Sequence, residues 1–187
     1  MKKYIFFIIA ILCVAVSSGT QLTPAPFKSA RLQAAGLTCA LCTKAINNSL
    51  EKIAFVKAVE PDIKTSSFLV TFKEGAKVDF DAIKKAVEDA GFSVASLKVT
   101  GNFDKISIQN DAHVQIDGKA FHFLDVKDQN LTGEKEITVV DKGFVTAKTY
   151  KKYSSATSMA CVKTGRTESC CAKKGITAAE RIYHVTI

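Results

Sequence analysis

The chain has 187 residues, 47% of them hydrophobic, a formal charge of +8 and six cysteines. Its lysines are scattered, with no run of five or six like charges and no basic stripe interleaved with aromatics, which argues against a nucleic-acid partner and reads as solvated surface. There is no G-x-S-x-G, no H-E-x-x-H and no phosphate-cradling glycine loop, and the carboxylates sit beside lysines, so an enzyme is not expected.

Residues 1–19 read as a secretory signal peptide. Lys2 and Lys3 precede an apolar run from Tyr4 to Val16, followed by Ser17, Ser18 and Gly19. A membrane helix needs about 20 apolar residues. A retained anchor is therefore disfavoured, and no stable membrane span is expected after cleavage. Leu12 is too large for a lipidation signal at Cys13. Cleavage removes two positive charges from +8, leaving +6, and places the mature chain in the periplasm or outside the cell. Residues 20–27, with Pro24 and Pro26, read as a linker. About 160 residues remain, enough for one medium domain or two small ones.

Residues 28–100 give a clear order of elements. Ser29 to Ala35 alternates like a strand. Leu41 to Ile53 has Cys42, Ile46, Leu50 and Ile53 on one helical face. Val56–Ile63 and Ser67–Phe72 read as paired strands joined by Lys64-Thr65-Ser66, with Phe68, Val70 and Phe72 on one side. Lys73–Val78 is a loop. Asp79 caps a second helix with Phe80, Ile83, Val87 and Ala90 on its apolar face, and Gly91 ends it. Phe92–Val99 is a fourth strand. The βαββαβ order predicts an α+β, ferredoxin-like split with sheet order 4-1-3-2. Pro61 falls in the second strand, at the sheet edge, where a missing ladder donor is tolerated.

The stretch Gly36-Leu37-Thr38-Cys39-Ala40-Leu41-Cys42 lies between the first strand and the first helix. A helix N-terminus lowers thiol pKa and offers backbone N–H groups to a thiolate. Two converging soft thiolates suit Cu(I), Zn(II), Hg(II) or a similar ion. The same spacing also suits a redox pair or a resting disulfide.

Together with Leu50-Glu51-Lys52-Ile53, Val56-Lys57-Ala58-Val59, Phe68-Leu69-Val70-Thr71-Phe72 and Ile83-Lys84-Lys85-Ala86-Val87-Glu88-Asp89-Ala90-Gly91-Phe92, this loop resembles the heavy-metal-associated domain of metal chaperones and metal-transporting ATPases. The resemblance covers Lys28 to Val99. It implies that Cys39 and Cys42 bind a soft metal ion, Cu(I) above others, and pass it to a partner's thiolates. That partner would be a metal-transporting ATPase or another thiol-bearing carrier. It also implies that Phe92 packs under the site. Leu37 stands where the family usually has methionine, and serves as the hydrophobic anchor under the loop without the thioether.

Residues 101–187 carry no long helical pattern. Ile106–Gln109, His113–Ile116 and Lys119–Val126 read as strands, with a type I′ hairpin at Asp117-Gly118. Glu136–Val140 and Phe144–Tyr150 read as a further pair, and Arg181–Ile187 as a last strand. The expectation is a small, mostly antiparallel β domain, with a compact barrel as one arrangement. Its chemistry candidates lie in the loop 159–171: Met159, Cys161, Cys170 and Cys171 are all soft donors. They form either a second metal site, able to exchange with Cys39 and Cys42, or a disulfide-closed loop with one thiol left over. His113, His122 and His184 are each expected to be packed or surface residues, although two could meet across strands.

The residues thus point to an exported soft-metal carrier acting by thiolate exchange. The alternatives are a periplasmic thiol–disulfide oxidoreductase using the same pair, and an interaction module with a vestigial metal site.

Overall fold

The computed structural model describes residues 26–37, 39–168, 171 and 176–187. The proposed signal peptide, most of the linker and Cys170 lie outside them. Eight strands form one open sheet in the order β2-β3-β1-β4-β7-β8-β6-β5. They are β1 Phe27–Ala35, β2 Val56–Asp62, β3 Ser67–Phe72, β4 Ser93–Ile108, β5 Ala112–Ile116, β6 Lys119–Phe123, β7 Gln129–Val139 and β8 Ile182–Thr186. The helices are α1 Ala40–Glu51, α2 Phe80–Asp89, α3 Ala147–Ser154 and α4 Cys161–Thr164.

The first half folds as the sequence predicts. The expected order 4-1-3-2 is the β4-β1-β3-β2 end of the sheet, and Pro61 sits on the edge strand β2 opposite Phe68. α1 buries Thr43, Ile46 and Leu50. α2 buries Phe80, Ile83, Ala86 and Val87, starts at Asp79, whose side chain accepts from the N–H groups of Asp81 and Ala82, and is followed by Gly91 at φ 86°.

The second half departs from expectation at its junction. β4 runs through residue 100, where the sequence suggested a joint, and pairs with β1 from Ser93 to Gly101 and with β7 from Leu97 to Ile108. Both halves therefore share one sheet. The sheet is not closed, so the barrel arrangement is excluded. It is mostly antiparallel, but β8 runs parallel to β6, inserted between β6 and β7. Asp117 and Gly118, at φ 53° and 69°, make the expected hairpin turn between β5 and β6.

Phe144–Tyr150 is not a strand. Gly143, at φ 86°, turns the chain after β7, and the Thr146 side chain accepts the Thr149 N–H to start α3. This helix buries no residue fully; Tyr150 donates its hydroxyl to the Val162 carbonyl and Tyr153 covers Leu124, Val140 and Val162. With so little apolar face, its 3.6-residue period is faint in the sequence.

Phe27, placed with the linker in the sequence reading, opens β1 at the centre of the core. Its ring meets Phe80, Phe103 and Phe121, with centroids 5.3, 6.3 and 5.9 Å away. Phe80 in turn lies 4.9 Å from Tyr183. One cluster of buried residues therefore runs from Ile46 and Leu50 through Phe27 to Phe121, Phe123, Tyr183 and Val185. Gly101 permits this junction: a Cβ there would stand 3.0 Å from both the Pro26 carbonyl oxygen and the Phe103 ring.

A polar clamp reinforces the contact. Arg181 donates from Nε to Asp81 Oδ2 at 2.8 Å and from its NH2 group to Asp81 Oδ1 and Asp141 Oδ2, both at 3.1 Å. The Tyr183 hydroxyl donates to Asp79 and Asp81, each at 3.2 Å. Burial alone would raise the Asp81 pKa, but its bonds to Arg181 outweigh that and hold it below the usual value.

Replacing Phe27 by Ala should cost about 3–5 kcal/mol in urea unfolding, since the cavity opens at the junction of both halves. Asp81→Asn should cost about 1 kcal/mol near pH 7, because the carboxylate is 45% exposed and solvent screens it. A carboxylate with a depressed folded pKa stabilises above its unfolded value of 3.8 and loses that stabilisation as pH falls through the folded value. Unfolding of wild type and Asp81→Asn should therefore converge below about pH 4.

Candidate metal sites

Cys39 is the N-cap residue of α1. Its backbone is extended, its carbonyl accepts the Thr43 N–H, and its Sγ accepts the Cys42 N–H at 3.3 Å. The Cα atoms of Cys39 and Cys42 lie 5.4 Å apart, and the two sulfurs are joined as a disulfide. Cys39 is exposed, Ala40 and Leu41 beside it are exposed, and Cys42 is half-buried. Leu37 and Phe92 are partly buried against the core. The surroundings make this a surface pair: once reduced, two sulfurs at a helix N-terminus are open to an ion and to a second protein.

The other sulfur-bearing residues are placed differently. Cys161 opens α4, and both it and Cys171 are fully buried, in a cluster with Ala120, Ile176 and Ile182 against which Met159 packs. Cys170 lies outside the described residues. Cys161 and Cys171 do come together, around a histidine: Nε2 of His113 is 3.7 Å from Cys161 Sγ and 3.4 Å from Cys171 Sγ. Cys161 Sγ is also 3.6 Å from Nδ1 of His122.

All three histidines are buried, and the sheet sets them in a row. His113 on β5 pairs in register with His122 on β6, which pairs with His184 on β8. The rings of His113 and His122 stack at 4.3 Å, and His184 meets His122 edge-on at 5.1 Å. Sequence reading noted that two of these histidines could meet across strands but did not place the row of three. A signal was present, because a two-residue turn at Asp117-Gly118 fixes the pairing 116 to 119 and hence 113 to 122.

Carboxylates set the tautomers. Asp111 Oδ1 is 3.1 Å from His122 Nε2, and Asp141 Oδ1 is 2.6 Å from His184 Nδ1. A carboxylate only accepts, so those ring nitrogens carry the protons, and His122 Nδ1 and His184 Nε2 carry lone pairs. His184 Nε2 is buried without a hydrogen-bond partner among the described residues. Burial, with His184 and His113 alongside, pushes the His122 pKa down to about 4, so its ring is neutral at pH 7.

Comparison with known proteins bears on the first site. Residues 31–93 match the family model of the heavy-metal-associated domain. A probable copper-exporting P-type ATPase of Archaeoglobus fulgidus is 31% identical over 77 residues, which are 41% of this chain and 9% of that protein. The chain thus spans about a tenth of the length of this curated relative. Among solved structures, the yeast copper transporter domain CCC2A, determined in apo and Cu(I)-loaded states, is 31% identical over 36% of this chain and 90% of its own, with a TM-score of 0.33. The CopZ metallochaperone is 25% identical over 36% of this chain and 98% of its own, with a TM-score of 0.34. Among the described residues, no helix is long and apolar enough to cross a membrane.

In the reduced, folded chain, iodoacetamide should modify Cys39 first and Cys42 more slowly, while Cys161 and Cys171 should react only after denaturation. Peptide mapping over a time course checks the order.

Proposed function

We propose that this protein is an exported carrier of a soft metal ion, with Cu(I) the preferred ion and Cys39 and Cys42 its ligands. The observation that carries the reading is the exposed Cys39-x-x-Cys42 pair at the N-terminus of α1, within a heavy-metal-associated domain. Such domains are metal-binding modules. The similarity to a copper-exporting ATPase supports copper over Zn(II) or Hg(II), and suggests a metal-transporting ATPase or another thiol-bearing carrier as the exchange partner.

The mechanism is ligand exchange. Two electrons and two protons reduce the disulfide to two thiols, and binding of the ion displaces their protons. Cys39, the more exposed sulfur, stays within reach of an incoming thiolate, so a partner displaces one ligand at a time and the ion is never released bare. The protein's part is to hold the two sulfurs together at the positive end of α1 and to leave them open. Export to the periplasm or beyond is supported by Lys2, Lys3 and the apolar run Tyr4–Val16. There a reductant, or the bound ion itself, must keep the pair from closing.

The disulfide between the two cysteines favours a second reading, thiol–disulfide exchange. One experiment separates them. Reduced wild type should hold one Cu(I) at Cys39 and Cys42 against a competing chelator, and Cys39→Ser with Cys42→Ser should abolish that binding. Equal affinity in the double variant sinks the carrier reading. Turnover in a disulfide-exchange assay would favour the second.

A further inference from the structure

The geometry points to a second, resident metal site, separate from the exposed pair: a buried tetrahedral centre in which Cys161 Sγ, Cys171 Sγ, His113 Nε2 and His122 Nδ1 hold a Zn(II) ion. Three sulfur–nitrogen separations meet there, at 3.4, 3.6 and 3.7 Å. Metal–sulfur bonds of about 2.3 Å and metal–nitrogen bonds of about 2.0–2.1 Å, at the tetrahedral angle, put neighbouring ligands about 3.5–3.6 Å apart. The ligand atoms of His113, His122 and Cys161 all lie within 4.8 Å of one another, all three residues are buried, and Cys171 adjoins this group through His113 Nε2.

The donor set and its surroundings agree. Two sulfurs and two imidazoles suit Zn(II) in a closed, four-coordinate structural site. Asp111 holds His122 by Nε2, leaving Nδ1 directed to the sulfurs, which is the carboxylate–histidine arrangement that orients metal ligands. His184 repeats it one strand further along, with Asp141 on Nδ1 and a buried lone pair on Nε2.

Burial assigns the role. Cys161, Cys171 and His122 are shut off from solvent, so a partner's thiolate has no approach, and the ion is a fixed part of the fold instead of cargo. It joins β5 and β6 to α4 and to Cys171.

The test uses the full chain carrying Cys39→Ser and Cys42→Ser, under a reductant, so that failure of the carrier reading leaves it untouched. Titrated with Co(II), it should bind one ion per chain, with the visible bands of tetrahedral cobalt and a sulfur charge-transfer band. Zn(II) should displace the cobalt, and a chelator should lower Tm. Further replacement of His113 or Cys171 by Ala should remove the cobalt spectrum. Asp111→Asn, an isosteric change at a half-exposed loop position that spares the fold, should weaken binding about 10- to 100-fold. Cys170→Ser should leave the spectrum unchanged. The proposal is overturned if the double serine variant binds no Co(II), if binding survives His113→Ala and Asp111→Asn undiminished, or if Cys170→Ser abolishes the spectrum while Cys171→Ala preserves it. A disulfide at Cys161 or Cys171 that persists under the reductant and excludes cobalt overturns it equally.

Discussion

The structure depends on the backbone ladder of β4. Of its sixteen residues, Ser93 to Gly101 pair with β1 on one side and Leu97 to Ile108 pair with β7 on the other, so Leu97 to Gly101 are held on both. A strand hydrogen-bonded on both edges has no freedom to hinge, so the βαββαβ half and the second half are held as one sheet. The core follows from this. With β1, β4, β7 and β8 side by side, Phe27, Phe80, Phe121 and Tyr183 fall within ring-contact distance, and the Arg181 clamp closes over them.

The two sulfur sites divide the chemistry of the molecule between its surface and its interior. At the first, a helix terminus carries two joined sulfurs, one of which accepts the Cys42 N–H. At the second, sulfurs and imidazoles sit in an apolar wall, with carboxylates fixing the ring nitrogens from behind. The same donor atoms thus serve opposite ends, because exposure sets how readily a ligand can be exchanged.

Much of the first half was legible in the sequence. Alternation and helical spacing gave its strands and helices nearly to the residue, because each element has one buried face and one wet face. Cys39 and Cys42 were legible because strand, cysteine spacing and helix fall in a fixed order. The second half was less so. β8 is buried along its whole length and β6 along nearly all of it, so neither alternates in the way that marks a half-exposed strand. α3 covers the surface with two tyrosines and has almost no apolar stripe. The histidine row was half legible: the hairpin turn pairs His113 with His122, but only the parallel pairing of β8 brings His184 alongside, and nothing local in the sequence announces a strand that returns from 59 residues away to lie beside β6.

That insertion of β8 sets the order in which the molecule can be assembled. β5, β6 and β7 precede β8 in the chain, yet β6 and β7 are not neighbours; β8 fills the space between them. During synthesis the β1–β4 portion can form early from local contacts, while the β5–β6 hairpin has no strand to join it to the sheet until Ile182–Thr186 has been made. The β6 edge that β8 covers stays unpaired for that interval. Late, long-range pairing of this kind is slow and exposes sticky surface. A ribosome stalled before Ile182 would leave a formed βαββαβ half joined to an unfinished sheet. Five residues at β8 therefore decide whether the molecule ends as one body or as a folded half trailing a chaperone substrate.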